Sequence, residues 1–198
     1  MHLRRASWAD RDGAYAVALA TGDSGVDASG QLRHPDLLGE VFVGPYLAYA
    51  PEHAFVLVDD HDLPVGYVLG VVDTRAFEAT LEADWWPGAV ERSTGLADPT
   101  PVDRWLIDRI RTPVVAPDDV VARLPAHGHI DLTPPAQGQG WGRRMMTTLM
   151  DSLAEAGASG MHLEVGLDNA RALGFYDRLG FTRQQEVDDA VYLGRPLP

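Results

Sequence analysis

Between a strand-like run, His129-Ile130-Asp131-Leu132-Thr133, and a helix-like run lies the stretch Gln137-Gly138-Gln139-Gly140-Trp141-Gly142. Three glycines at alternate positions constrain the fold more than any other segment, because each loses more backbone entropy on folding than a residue with a side chain. A glycine-rich turn leading from a strand into a helix aims several free N–H groups and the positive end of a helix dipole at one point. Phosphate oxygens suit that point. Two well-known phosphate loops do not fit. A Gly-x-Gly-x-x-Gly dinucleotide fingerprint fails because Arg143 stands where the third glycine belongs. A Walker-A loop needs a lysine, and all 16 basic residues of the chain are arginine. A glycine turn with no ligand is the alternative reading of the segment taken alone.

The flanks supply the topology. Residues 2–6 read as a strand, and Ser7-Trp8-Ala9-Asp10 as the start signal of a helix that Gly22 ends. Residues 22–35 are loop-like, and a weaker helical stretch runs from Pro35 to Tyr49, interrupted at Gly44-Pro45. Ala54–Val58 and Val65–Val72 form a hairpin across Asp59–Pro64. Residues 74 to about 126 hold Trp85-Trp86-Pro87-Gly88, a helix at 102–111 and a short helix near 117–123. After the glycine turn, Trp141, Met145, Met146, Leu149, Met150 and Leu153 share one helix face. Met161–Val165 is the next strand, Asn169–Leu179 the next helix, and strand-like segments close the chain from Phe181. Strand, helix, strand, helix in this order predicts an α/β or α+β fold with a mixed sheet. With 198 residues and no internal repeat, one domain spanning 1–198 is expected.

Composition narrows the partners. A formal net charge of −13 opposes nucleic acid and anionic membrane, and favours encounter with a cationic molecule. No apolar run reaches the roughly 20 residues that span a bilayer, and the N-terminus has no signal-peptide core, so a cytoplasmic location is expected. The absence of cysteine and lysine excludes disulfides, thiolate metal sites, acyl-cysteine intermediates and Schiff-base chemistry. His127 and His129 have too thin a set of neighbouring ligands for a metal site, so no metal is expected. The arginine, alanine and glycine bias matches a GC-rich bacterial genome.

Gln137-x-x-Gly140-x-Gly142 resembles the pyrophosphate loop of the GCN5-related N-acetyltransferase (GNAT) superfamily. Asn169-x-x-Ala172-x-x-x-Tyr176-x-x-x-Gly180-Phe181 resembles that superfamily's second acetyl-CoA motif, and Leu163-Glu164-Val165 has the look of its fifth strand. The resemblance covers residues 128–182 strongly and the N-terminal part in element order only. It departs from the simplest members at 74–126, a helical insertion between the third and fourth strands. In this it is most similar to bacterial acetyltransferases related to the acetyltransferase-like C-terminal domain of eukaryotic O-GlcNAcases. The resemblance implies a mostly antiparallel sheet splayed between strands 4 and 5, flanked by helices, with acetyl-CoA as cosubstrate.

It also implies roles. The backbones of Ile130, Asp131 and Leu132 would pair with pantetheine, while Gln137, Gly138, Gln139, Gly140, Trp141, Gly142 and Arg143 wrap the pyrophosphate. Asn169 would hydrogen-bond the pantetheine arm, and its other reading is a helix N-cap. Tyr176 would be the acid that protonates the departing thiolate, and its other reading is an amphipathic core residue. For the base, Glu164 ranks ahead of Asp131, and Asp131 ahead of His129. Trp85 and Trp86 either wall the acceptor site or anchor the insertion. Taken together, the chain reads as an N-acetyltransferase acting on a primary, cationic amine by direct attack in a ternary complex. The rivals are a catalytically silent acyl-CoA-binding or protein-interaction module and a nucleotide-binding regulator. The acceptor's identity is not written in the sequence, and a homodimer is left open.

Overall fold

The computed structural model describes all 198 residues. Strand β1 (His2–Arg5) passes through a single 3₁₀ turn into helix α1 (Arg11–Thr21). The start signal read in the sequence is built as expected: Ser7 N–H donates to Asp10 at 2.8 Å, and Arg4 grips the same carboxylate at 2.7 Å. Helices α2 (Asp36–Phe42) and α3 (Gly44–Tyr49) are one helical stretch broken at Val43, with Pro45 in the first turn of the second piece. There its missing N–H costs nothing. The hairpin β2 (Ala54–Val58) and β3 (Pro64–Val71) turns on Asp59, whose carboxylate accepts from the N–H groups of His61 and Leu63 at 2.8 and 3.0 Å.

The segment after β3 is more helical than its sequence suggests. It comprises α4 (Thr74–Thr80), a π-helical turn at Leu81–Trp85, α5 (Trp86–Ser93), α6 (Pro101–Arg111) and α7 (Asp118–Val121). Only the last two of these helices were expected. Trp-Trp-Pro-Gly reads as a breaker, yet Pro87 sits in the first turn of α5, where proline is tolerated. Asp73 starts α4 by accepting from Ala76 N–H at 3.0 Å.

The remaining elements are β4 (Ala126–Leu132), α8 (Trp141–Glu155), β5 (Gly160–Gly166), α9 (Ala170–Asp177), β6 (Thr182–Val187) and β7 (Ala190–Pro196). Strand β4 begins three residues before the expected His129, because Ala126 and His127 already pair with Met161 and His162 of β5. All strands join one seven-stranded sheet in the order β1-β2-β3-β4-β5-β7-β6. Every pairing is antiparallel except β4 with β5. Side chains alternate across the sheet and divide the core in two. Val56, Tyr67 and Leu69 face α1 to α6, whereas Leu57, Val68 and the buried Met145, Met146 and Leu149 of α8 pack on the other face.

The insertion is tied down by Asp103. Its fully buried carboxylate accepts from the N–H groups of Thr100, Arg33 and His34 at 2.8, 3.1 and 3.2 Å. Burial opposes its charge, but the backbone bonds prevail and lower its pKa. Asp103→Ala leaves buried donors unpaired and is expected to cost about 3 kcal/mol in urea denaturation. Because the folded pKa is depressed, the stability that the charge contributes is present above the unfolded value of about 4 and is lost as pH falls through the folded value. In the variant this acid-dependent loss shrinks. An unchanged acid limb would mean that Asp103 is not what holds the loop before α2 to α6.

Candidate active site

The feature that makes a site is the failure of β4 and β5 to stay together. They pair at Ala126–Met161 and His127–His162 only, and beyond Gly128 the two strands part. The Thr133 N–H bond to Val65 O at 3.0 Å sets the alternation along β4. Odd-numbered residues, Asp131 among them, pair with β3, while the backbone groups of Ile130 and Leu132 turn toward the gap. Leu132 O is taken by Gln137 Nε2 at 2.6 Å. Of the three expected backbone partners, Ile130 and Leu132 are therefore oriented for that role. Asp131 reaches the gap through its side chain.

A cavity of about 680 Å³ fills the gap, lined by the β4 backbone, the glycine turn and α9. Gly138 and Gly140 adopt φ of +73° and +82°, the left-handed region that side chains avoid. A Cβ on either would meet only open space, so the turn's conformation, not crowding, demands glycine there. Gly142 is different: its Cβ would lie 3.1 Å from the Phe175 ring, where α8 meets α9. Gly140 is the N-cap of α8 and brings no side-chain acceptor, which leaves the first N–H groups of a 15-residue helix facing the cavity. Arg143, Arg171 and Arg178 also line it. Gln137 is held by Arg171 and helps to shape the turn. Gln139 is exposed and bonds Pro135 O at 2.6 Å. Trp141 packs against the α8 core with Arg144 stacked over it at 5.0 Å, away from the cavity lining. These groups fit a phosphate-bearing ligand, with the turn and Arg143 as the anion end.

Asn169 caps α9, accepting from Ala172 N–H at 3.0 Å, and it lines the same cavity. Tyr176 is buried between Phe175 and Phe181, yet its hydroxyl has no hydrogen-bond partner in the protein and belongs to the cavity wall. Burial, and then the charge of Asp131, push its pKa up, so the phenol stays protonated.

A second cavity, of about 770 Å³, lies under the insertion. His129 and Glu164 line both cavities. Tyr67 O–H donates to Asp131 Oδ2 at 2.5 Å, and His129 Nε2 lies 3.1 Å from that oxygen. A carboxylate only accepts, so Nε2 carries a hydrogen; in the neutral imidazole Nδ1 then holds the lone pair, and it has no partner in the protein. Glu164 is more heavily engaged: Tyr192 O–H donates to it at 3.3 Å, and Arg109 stands 3.7 Å away. Trp86 walls the second cavity, whereas Trp85 is buried and donates to Glu40 O at 3.0 Å. No group of three or more His, Asp or Glu side chains has metal-holding geometry, and no helix is long and apolar enough to cross a membrane.

The sequence reading missed Tyr67, Arg109, Arg171 and Arg178. Tyr67 is recognisable only from strand register, since it lies opposite Asp131 across β3 and β4. Arg109 had a signal, one helical turn beyond Trp105 on an amphipathic helix.

Known proteins agree with this architecture. The acetyltransferase (GNAT) family profile matches residues 104–181. Protein O-GlcNAcase of Rattus norvegicus is 29% identical over 195 residues, a match covering 95% of this chain but only 21% of that relative's length. The crystal structure of SsHAT is 35% identical and covers 98% of this chain and 97% of its own, with a TM-score of 0.86. A phosphinothricin acetyltransferase from Sinorhizobium meliloti, solved in complex with AcCoA, is 16% identical with a TM-score of 0.59; it covers 99% of this chain and 88% of its own, and it shares the fold alone. A 35%-identical relative matched along almost its entire length, together with the family profile over residues 104–181 and the split between β4 and β5, leaves one conclusion: the chain belongs to the GNAT family of acetyltransferases.

Proposed function

We infer that the protein is an acetyl-CoA-dependent N-acetyltransferase in which a primary amine attacks directly within a ternary complex. The observation that carries this reading is the meeting of two cavities at His129 and Glu164, with the free hydroxyl of Tyr176 on the wall of one of them. Bound in the β4–β5 gap, acetyl-CoA supplies the activated acetyl group. The N–H groups of the glycine turn and α8, with Arg143, hold its phosphates, and Ile130 and Leu132 offer backbone partners to its arm. His129 Nδ1 takes the amine proton, positioned by Asp131 and, through it, by Tyr67. Tyr176 returns a proton to the leaving sulfur. Glu164 acts as the electrostatic anchor of the acceptor, since Arg109 and Tyr192 already engage its oxygens. The absence of cysteine leaves no thiol to carry the acetyl group in between. Residues 1–198 act as one unit, because strands from both ends of the chain complete the sheet that opens the gap.

The test is release of free CoA from acetyl-CoA in the presence of a panel of primary amines. Release that depends on the amine supports the reading. Tight acetyl-CoA binding with no amine-dependent release identifies a silent module instead. Cofactor binding has its own check. Gly140→Val forces a β-branched side chain onto a left-handed backbone at the mouth of the anion site and is expected to weaken CoA at least tenfold by calorimetry, with the circular dichroism spectrum preserved. Unchanged affinity in the folded variant would remove the glycine turn from the binding site.

A further inference from the structure

The cavity under the insertion has a chemistry of its own. From the reacting end outward, rings stack in a ladder: His129 on Phe42 with centroids 5.8 Å apart and planes at 26°, and Phe42 on Trp105 at 6.3 Å and 28°. The Arg109 guanidinium caps Trp105 at 4.6 Å. At the mouth, Trp105, Val114, Val115 and Leu167 are 47, 50, 65 and 36% exposed. Ten large hydrophobic residues in the chain are exposed, and these four line one cavity, which is not the scatter of an ordinary surface.

The polar side of the cavity is made of acceptors. Glu78, Glu82, Glu164, Asp168 and Asp189 line it against one guanidinium, Arg109, which already leans on Glu164. The floor is wired in one direction. Thr74 O–H donates to Pro125 O at 2.7 Å, so its oxygen accepts from His127 Nδ1–H at 2.8 Å. His127 Nε2 must then accept from Tyr46 O–H at 2.9 Å. Burial keeps His127 neutral, with its pKa lowered to about 3, so the wiring does not reverse at physiological pH. Tyr46 is left offering only lone pairs to the cavity.

Resting on the acetyl-transfer reading, we propose that the acceptor is a primary amine carried on an aromatic or apolar body. Its ammonium enters between Glu164 and His129, and its body lies along the Phe42–Trp105 ladder toward the apolar lip. A polyamine or a lysine in a basic peptide would satisfy the carboxylates but leave the ladder and the lip in water. An amino acid's own carboxylate would meet the five acidic side chains.

Initial rates of CoA release with ethylamine, butylamine, hexylamine, 2-phenylethylamine, lysine and spermidine test this, alongside calorimetric binding of the same amines to the protein saturated with CoA. Specificity, kcat/KM, is expected to rise about fourfold per added methylene, the transfer energy of a buried CH₂ expressed as a rate ratio. The aromatic amine should exceed ethylamine by roughly 100-fold or more, with lysine and spermidine no better than butylamine. Trp105→Ala should lower the ratio of 2-phenylethylamine to ethylamine roughly tenfold. A flat series, or a preference for lysine or spermidine, overturns the assignment and leaves acetyl transfer standing. A graded binding series without CoA release supports the slot's chemistry and sinks the catalytic reading. No binding and no release overturns both.

Discussion

Tyr176→Phe is expected to lower turnover roughly 10²- to 10⁴-fold, the range for loss of a positioned proton donor, while leaving acetyl-CoA affinity within about twofold. The separation of the two effects follows from the side chain's surroundings. The ring is buried against Phe175 and Phe181, and phenylalanine preserves both contacts. The hydroxyl donates to nothing inside the protein, so its removal leaves no orphaned partner and little change in stability. Its raised pKa keeps the proton available across the physiological range, and a thiolate leaving group needs that proton in the transition state. Stopped-flow or steady-state CoA release, paired with calorimetry, measures the two quantities. Equal turnover in wild type and variant would make Tyr176 a packing residue, the other role its i, i+3, i+4 spacing allowed.

Much of this arrangement was legible in the sequence, for reasons that differ by element. The βαβ unit from β4 to β5 was legible because Trp141, Met145, Met146, Leu149 and Leu153 repeat with a helical period between two short strand-like runs. The glycine turn was legible because φ above zero at Gly138 and Gly140 leaves a compositional mark. Helices α4 and α5 were not, since Trp-Trp-Pro-Gly carries breaker residues whose tolerance depends on where the helix starts. The proton arrangement around His129 was also hidden. Asp131 and His129 share a face by simple alternation, but Tyr67 comes from another strand, and a sequence does not state its register. Proposing His129 ahead of Glu164 as the base reverses the order expected from the resemblance, and the grounds for that shift lay hidden for the same reason. Arg109 and Tyr192, which occupy Glu164, are 55 and 28 residues away in the chain and adjacent only in the fold.

That shift makes the second large effect. His129→Gln is expected to lower kcat/KM roughly 10²- to 10⁴-fold at neutral pH, whereas Glu164→Gln should cost less than about tenfold there. An alkyl ammonium with a pKa of about 10 is almost wholly protonated at pH 7, so a base within the site must remove a proton before attack. His129 Nδ1 has the free lone pair for this, because Asp131 fixes the hydrogen on Nε2. As pH rises toward 10, free amine becomes plentiful and the need for a base fades, so the deficit of His129→Gln should shrink with pH. Asp131→Asn acts through the histidine. It can present an N–H to Nε2 and so favour the wrong tautomer, and a loss of roughly tenfold or more with the same alkaline recovery is expected. A merely structural defect would lower the rate equally at every pH. If Glu164→Gln instead shows the large, pH-dependent loss while His129→Gln runs parallel to wild type, proton removal belongs to Glu164. Arg109 would then have to leave that carboxylate when the amine arrives.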